Sequence, residues 1–223
     1  MLELGVKFLI SYFIGSLMGA MIVGKLRGGV DIRTMGSGNA GGTNALRTQG
    51  FAFALGVVIV DIGKGVVGAG VVPGLDIPFA PADPEISRTW LTTACAAAAV
   101  FGHVWPIYHG FRGGKGAATL VGTLAVLAPT LIVGVLLVWG GMLVLTGYVG
   151  LSTMTAAAAL PVWLAFTRLP GDQPLFIYLA VMAGCTVFWH RSNIRRMVDG
   201  SEHRKVGLMP FKPKGSAGAD DQS

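Results

Sequence analysis

The chain has 223 residues, of which 52% are hydrophobic and 13% charged, and a formal net charge of +6. Soluble domains carry about 25% charged residues, so the composition excludes a soluble enzyme and indicates an integral membrane protein. The positive balance does not signal nucleic acid, because the basic residues gather in short loops between apolar runs, as the positive-inside rule describes.

The first apolar run, Leu4 to Val23, holds about 20 residues, enough to cross a bilayer. It reads as an uncleaved span, with Lys7 near one end able to snorkel to the interface. A basic, glycine-rich loop follows from Lys25 to Gly50. The second run, Phe51 to Val72, is interrupted by Asp61 and Lys64, which lie three residues apart and so can pair on one helix face. Ionisable residues within a span mark either function or a satisfied internal pair, and both readings stay open here. A Pro-rich loop, Pro73 to Arg88, precedes a third run, Trp90 to Tyr108. Within that run His103 reads as a packed interfacial histidine rather than a base.

From Ala117 to Phe166 about 50 residues pass without a charge, long enough for two generous spans or three short ones. Pro129 and the stretch Gly147 to Gly150 are the expected breaks. The last run is Leu175 to Trp189. Charge decides the count. Lys25, Arg27, Arg33 and Arg47, then Arg112 and Lys115, then Arg191, Arg195, Arg196, Arg204, Lys205, Lys212 and Lys214 make thirteen of the 17 basic residues. They share one side only if an even number of spans separates residues 116 and 190. Three spans in the long run plus the last run make four and satisfy this. The expected fold is therefore an all-α bundle of seven transmembrane helices, N-terminus outside and C-terminus cytoplasmic. Residues 1–211 are expected to form a single transmembrane domain, and 212–223 a disordered tail too polar to bury a core. Cys95 and Cys185 fall in apolar runs and read as small core residues without a disulfide.

Three polar blocks carry the chemistry. The first is Gly36-Ser37-Gly38-Asn39-Ala40-Gly41-Gly42-Thr43-Asn44-Ala45-Leu46-Arg47. Glycines turn backbone N–H groups inward, successive N–H groups form an anion-binding nest, and Ser, Thr, Asn and Arg add donors suited to phosphate. The plainer reading is a flexible inter-helix loop. The second block, Phe111 to Thr119, reads FRGGKGAAT. Its style is that of a phosphate loop opening a helix, but the Walker A spacing is absent. Arg112 and Lys115 also fit simple topology signals. The third block runs from His190 through Asn193 to Arg196 and on to Glu202 and Lys205. His190 and Asn193 lie on one helical face, and the arginines also suit a basic anchor on lipid headgroups. Ser152 lies near the inner end of a neighbouring helix and can reach the same surface, which makes it a candidate substrate-binding residue. No H-E-x-x-H, C-x-x-C or carboxylate cluster occurs in the loops, so neither a metal nor another cofactor is expected. The residues alone suggest phosphorylated small molecules at one membrane face, with an apolar bundle behind for an acyl chain. A transporter for a phosphorylated solute is the main alternative, although transporters place their sites near the midplane.

The blocks GSGNAGGTNALR, GHVWPIYHGFRGGKGAAT and HRSNIRRMVDGSEHR resemble, in order and spacing, the three signature motifs of the bacterial acyl-phosphate:glycerol-3-phosphate acyltransferase family. The resemblance implies acyl transfer from acyl phosphate to the 1-hydroxyl of glycerol 3-phosphate, the first step of phospholipid synthesis, with no metal. It also implies a functional link to an enzyme that makes acyl phosphate. By motif position it makes Ser37 and Arg47 essential. Gly38, Asn39, Gly41, Gly42, Thr43 and Asn44 become a cradle for acyl phosphate, and Lys115 with Gly113, Gly114 and Gly116 a phosphate holder. His190 and Asn193 become glycerol 3-phosphate ligands, His190 being one candidate base, and Glu202 becomes a structural brace. Two departures are visible. Gly42 stands where the family usually has Ala, and Gly147 and Gly150 make the turn before Ser152 richer in glycine than usual, which weakens the assignment of Ser152.

Overall fold

The computed structural model describes residues 1–205, and among them there is helix, turn and loop but no strand. The polar tail expected from Lys212 lies outside the described residues. The chain divides into two compact units, Met1–Pro129 and Thr130–Ser223.

The first unit holds helices α1 (Leu2–Gly15), α2 (Gly19–Leu26), α3 (Gly42–Gln49), α4 (Phe51–Gly70), α5 (Arg88–Val104) and α6 (Ala117–Leu127). α4 and α5, extended by the turns that follow them, are long and apolar enough to cross a membrane. The expected first span is not one straight helix: it bends by 41° between α1 and α2. A break inside an apolar layer exposes backbone groups that no water can satisfy. Here α4 satisfies them. Lys64 Nζ donates to the Leu17 carbonyl at 2.9 Å, and Asp61 Oδ1 accepts the Gly19 N–H at 3.1 Å. The two side chains also pair with each other at 2.9 Å. The Asp61–Lys64 pair is thus a satisfied internal pair that bridges α4 to the α1–α2 break.

Lys7 does not snorkel as the sequence suggests. Its side chain is 5% exposed, and Nζ donates to Glu3 Oε1 and to the Pro73 carbonyl, both at 2.8 Å. Glu3 is also gripped by the Arg88 guanidinium through two bonds of 2.6 and 2.8 Å, and accepts the Asp83 N–H. A carboxylate with this many donors holds the ammonium in place of water.

Two helix crossings in this unit depend on bare backbone. On α1 and α5, a methyl at Gly15 would overlap the Ala99 carbonyl, and one at Gly102 the Tyr12 carbonyl. On α4 and α6, a methyl at Gly65 would overlap the Thr119 carbonyl, and one at Gly122 the Ile62 carbonyl. Close approach of small residues maximises van der Waals contact where there is little hydrophobic drive between helices in lipid.

The second unit holds α7 (Leu131–Thr146), α8 (Val149–Thr167), α9 (Gln173–Trp189) and α10 (Arg191–Val198). α8 packs against both α7 and α9. Leu160 and Leu164 of α8 and Leu179 and Met182 of α9 are buried. α9 and α10 meet at a bend of 50°, at His190.

The uncharged stretch forms three helices with breaks at Ala128–Thr130 and Gly147–Tyr148, where Pro129 and the glycine turn were expected to interrupt it. Their lengths are unequal. α6 has 11 residues and α7 has 16, whereas a span needs about 20; α8, with 19, qualifies by length and composition. The described residues therefore hold three span-length helices, two bent pairs that each reach span length, and two shorter apolar helices. Cys95 is buried and Cys185 half-buried, and both are free thiols.

The tight α4–α6 crossing predicts that Gly122→Ala destabilises the protein by about 1–3 kcal/mol, the usual cost of overpacking. Gly134→Ala on α7, where a methyl meets nothing within 4 Å, should leave stability unchanged or slightly raised. Thermal unfolding of the two variants in detergent checks this.

Candidate active site

The first polar block is folded by its own side chains. Asp31 caps a 3₁₀ turn at Ile32–Thr34 and pairs with Arg33 through bonds of 2.8 to 3.2 Å. Ile32, Ala40 and Ala45 are fully buried in an apolar cluster with Met18, Ala20, Phe53, Ala54 and Val57. Asn44, in the first turn of α3, is the organiser. Its Oδ1 accepts the Ser37 N–H at 3.0 Å, and its Nδ2 faces the carbonyls of Ile32, Met35 and Asn39 at 2.9, 3.1 and 2.9 Å. Asn39 Oδ1 accepts the Gly41 N–H. Gly36 and Gly38 take positive φ, and a methyl at Gly36 would strike the Asn44 amide. The N–H groups of Ser37, Gly38 and Gly41 are thus engaged within the loop. The exposed side chains of Ser37, Thr43 and Arg47 line its surface. Gly41, as N-cap, offers no side chain to the first-turn amides of α3. Gly42 has a packing reason: a methyl there would lie 2.7 Å from Val58 Cγ2 on α4.

The second block lies flat on the end of α5. The Gly114 N–H donates to the His103 carbonyl at 3.2 Å. A methyl at Gly113 would overlap that same carbonyl, and a methyl at Gly114 would overlap the His103 ring. Gly116, with φ +80°, caps the start of α6. Lys115 stands half-buried between them. Arg33 joins the two blocks, directing Nη1 to the carbonyls of His109 and Arg112 at 3.4 and 3.5 Å. Arg33 holds the Asp31 carboxyl below the ordinary carboxylate range. The pair is therefore complete at neutral pH and is lost only as acid protonates Asp31.

The third block lies in the second unit. His190 sits at the α9–α10 bend, 4% exposed, with Nδ1 2.8 Å from the Thr186 carbonyl. A carbonyl can only accept, so in the neutral ring Nδ1 carries the hydrogen. Asn193 Nδ2 donates to Glu202 Oε1 at 2.8 Å, and Arg196 Nε donates to Glu202 Oε2 at 2.6 Å. The two glycines before Ser152 are seats for this block. A methyl at Gly150 would press on Asn193 at 3.1 Å, and Gly147 accepts the Lys205 N–H through its carbonyl at 2.9 Å. Ser152 itself is fully buried, and its hydroxyl donates to the Tyr148 carbonyl one helical turn back. Among the described residues no three His, Cys, Asp or Glu side chains gather into a set that could hold a metal ion.

The sequence model of the glycerol-3-phosphate acyltransferase family matches residues 6–200, which include the first two blocks and the third from His190 to Gly200. The chain belongs to the glycerol-3-phosphate acyltransferase family. The family member from Halalkalibacterium halodurans is 40% identical, the match covering 91% of this chain and 96% of that one. The member from Salinibacter ruber is 38% identical over 96% of each chain. The crystal structure of PlsY (YgiH), an integral membrane glycerol 3-phosphate acyltransferase in its glycerol 3-phosphate form, superposes with a TM-score of 0.75 at 29% identity, over 90% of this chain and 94% of that one. Its lysophosphatidic acid form superposes with a TM-score of 0.74. This acyltransferase fold is therefore that of an integral membrane protein.

Sequence reasoning missed Arg33, Asp31 and His103 as builders of the site. The Asp31–Arg33 turn has a local signal, an Asp whose carboxylate accepts the N–H two residues on. The links from Arg33 to His109 and from His103 to Gly114 have none. Asn44→Asp keeps the acceptor for Ser37 but sets an anion against three carbonyls, and each buried group left unpaired costs about 1–3 kcal/mol. Hydrogen exchange should quicken across residues 32–44 in this variant and stay unchanged in α8 and α9.

Proposed function

We propose that the protein transfers an acyl group from acyl phosphate to the 1-hydroxyl of glycerol 3-phosphate, giving 1-acylglycerol 3-phosphate (lysophosphatidic acid) and inorganic phosphate. The observation that carries the reading is the pair of preshaped loops in the first unit, tied together by Arg33, with Ser37, Arg47 and Lys115 on them. The glycerol 3-phosphate and lysophosphatidic acid forms of PlsY support the same acceptor and product here.

The acyl carbon of an acyl phosphate is already activated. The glycerol hydroxyl oxygen attacks it, charge grows on the carbonyl oxygen, and the carbon–oxygen bond to phosphate then breaks. Ser37 and the first-turn amides of α3 orient the donor and stabilise that charge. Arg47 and Lys115 neutralise the substrate phosphates. Gly38, Asn39, Gly41, Gly42, Thr43, Gly113, Gly114 and Gly116 give the two loops their shape, and Asn44 holds the first from within. In the second unit, Asn193, braced by Glu202, binds glycerol 3-phosphate with His190, while Ser152 supports the helix beneath. The hydroxyl proton goes to His190 Nε2 or to the departing phosphate oxygen.

The reading treats residues 1–211 as one acyltransferase domain in the bacterial inner membrane, with seven spans, the N-terminus outside and the site facing the cytoplasm. The one-sided distribution of Lys and Arg supports this orientation. The acyl chain lies in the lipid layer, and an enzyme that makes acyl phosphate supplies the donor.

In detergent or vesicles, lysophosphatidic acid should form from palmitoyl phosphate and not from palmitoyl-CoA; formation from the thioester alone would overturn the donor assignment. Ser37→Ala should lower kcat by roughly 10²–10³, the loss typical of removing a donor to a developing oxyanion. His190→Gln should remove the acid limb of the pH–rate profile if Nε2 takes the proton. A profile unchanged in shape would assign that role to the phosphate.

A further inference from the structure

We propose that His103 is a positioning residue for the second glycine loop, held in register by the buried Asp61–Lys64 pair; this rests on the acyl phosphate reading above. The three side chains are 2–3% exposed. Asp61 Oδ1 lies 2.9 Å from Lys64 Nζ, 3.1 Å from the Gly19 N–H and 3.4 Å from His103 Nδ1. Lys64 also grips the Leu17 carbonyl. A buried carboxylate and ammonium tolerate little displacement, because a charge left unpaired in an apolar interior is costly. The Nδ1 edge of the imidazole thereby faces a carboxylate that is itself fixed to α4 and the α1–α2 break.

The loop lies on the other side of that imidazole. Gly113 rests on the His103 carbonyl and Gly114 on the ring, at separations that leave no room for a methyl group. The far end of the loop is held by the same segment of α4. Gly65, next to Lys64, packs on the Thr119 carbonyl of α6, and Gly122 packs back on Ile62. The stretch Asp61–Gly65 therefore sets both ends of the short segment that carries Lys115, His103 transmitting its position at one end and the α6 backbone at the other. The glycines at 113 and 114 answer first to this packing. Lys115 then meets the donor phosphate from a fixed mount rather than from a flexible loop.

The test is a double-mutant cycle on the full chain in detergent, using wild type, His103→Ala, Gly114→Ala and the double variant, with palmitoyl phosphate and glycerol 3-phosphate as substrates. A misplacement of about 1 Å costs on the order of 100-fold in rate. Gly114→Ala should thus lower kcat by about that factor, His103→Ala by roughly tenfold, and the double variant by clearly less than the product, because the new methyl occupies the space the ring leaves. The KM for glycerol 3-phosphate should stay within about twofold throughout, a split that general loss of structure would not produce. Multiplicative effects, or equal changes in both KM values, would overturn the proposal. Hydrogen exchange gives a readout free of turnover: residues 110–120 should exchange faster in His103→Ala while α8 and α9 are unchanged, and an unaltered loop would overturn it. If wild type makes no lysophosphatidic acid from palmitoyl phosphate, the donor reading fails and the exchange comparison still decides the role of His103. Should His103→Ala fail to accumulate, His103→Asn also shortens the side chain beneath Gly114, and the same non-additivity is expected of it.

Discussion

A carboxylate and an ammonium three residues apart on α4 are the constraint on which the first unit depends. Burying a charge pair stabilises little by itself, since desolvation offsets most of the attraction. Its effect lies in what it forces. Asp61 and Lys64 must find each other and must also find every remaining partner within reach, because the surrounding layer offers no water. They take up the backbone groups at the α1–α2 break, so the first apolar run can bend. They also stand beside His103, near the end of α5 on which the second glycine loop rests.

The same economy recurs at each polar block. Asn44 is buried and bonded to four backbone groups of its loop, and Glu202 ties Asn193 to Arg196. Residues that a motif reading would assign to substrate are in part the residues that hold the loop ready for it. Preorganised donors stabilise developing charge without having to reorient during reaction, so a loop folded by its own side chains is the form such a site requires. The glycines divide likewise. Gly36, Gly38 and Gly116 supply positive φ, whereas Gly42, Gly113, Gly114 and Gly150 let one surface approach another.

Much of this architecture was legible in the sequence. The ends of α4, α5 and α9 fall no more than four residues from the ends of the apolar runs, because the change from apolar to polar or glycine-rich residues lies close to the helix ends. Pro129 and Gly147 interrupt the uncharged stretch for the backbone reasons expected of them. The break in the first run was hidden because Ser16, Leu17 and Met18 carry no strong stop signal; the side chains that satisfy the opened backbone there lie more than 40 residues away. Lys7 was misjudged because snorkelling is the usual fate of a lysine in a span; its i,i+4 partner Glu3 was visible in the sequence, but the Pro73 carbonyl and the Arg88 grip on Glu3 could be seen only once the helices were packed. Within the site, residue types and order pointed to phosphate chemistry and to the family. The distinction between a group that binds and a group that braces depends on burial, as Ser152 illustrates: its hydroxyl turns back onto its own helix.

In the proposed reaction one acyl phosphate gives its acyl group to one glycerol 3-phosphate and releases one phosphate, without a metal. The most direct measurement follows inorganic phosphate and lysophosphatidic acid together, from purified protein given palmitoyl phosphate and glycerol 3-phosphate in EDTA. Equal amounts of the two products, both dependent on glycerol 3-phosphate, are predicted. Phosphate released without lysophosphatidic acid would describe a hydrolase instead, and loss of both products on chelation would contradict the metal-free mechanism.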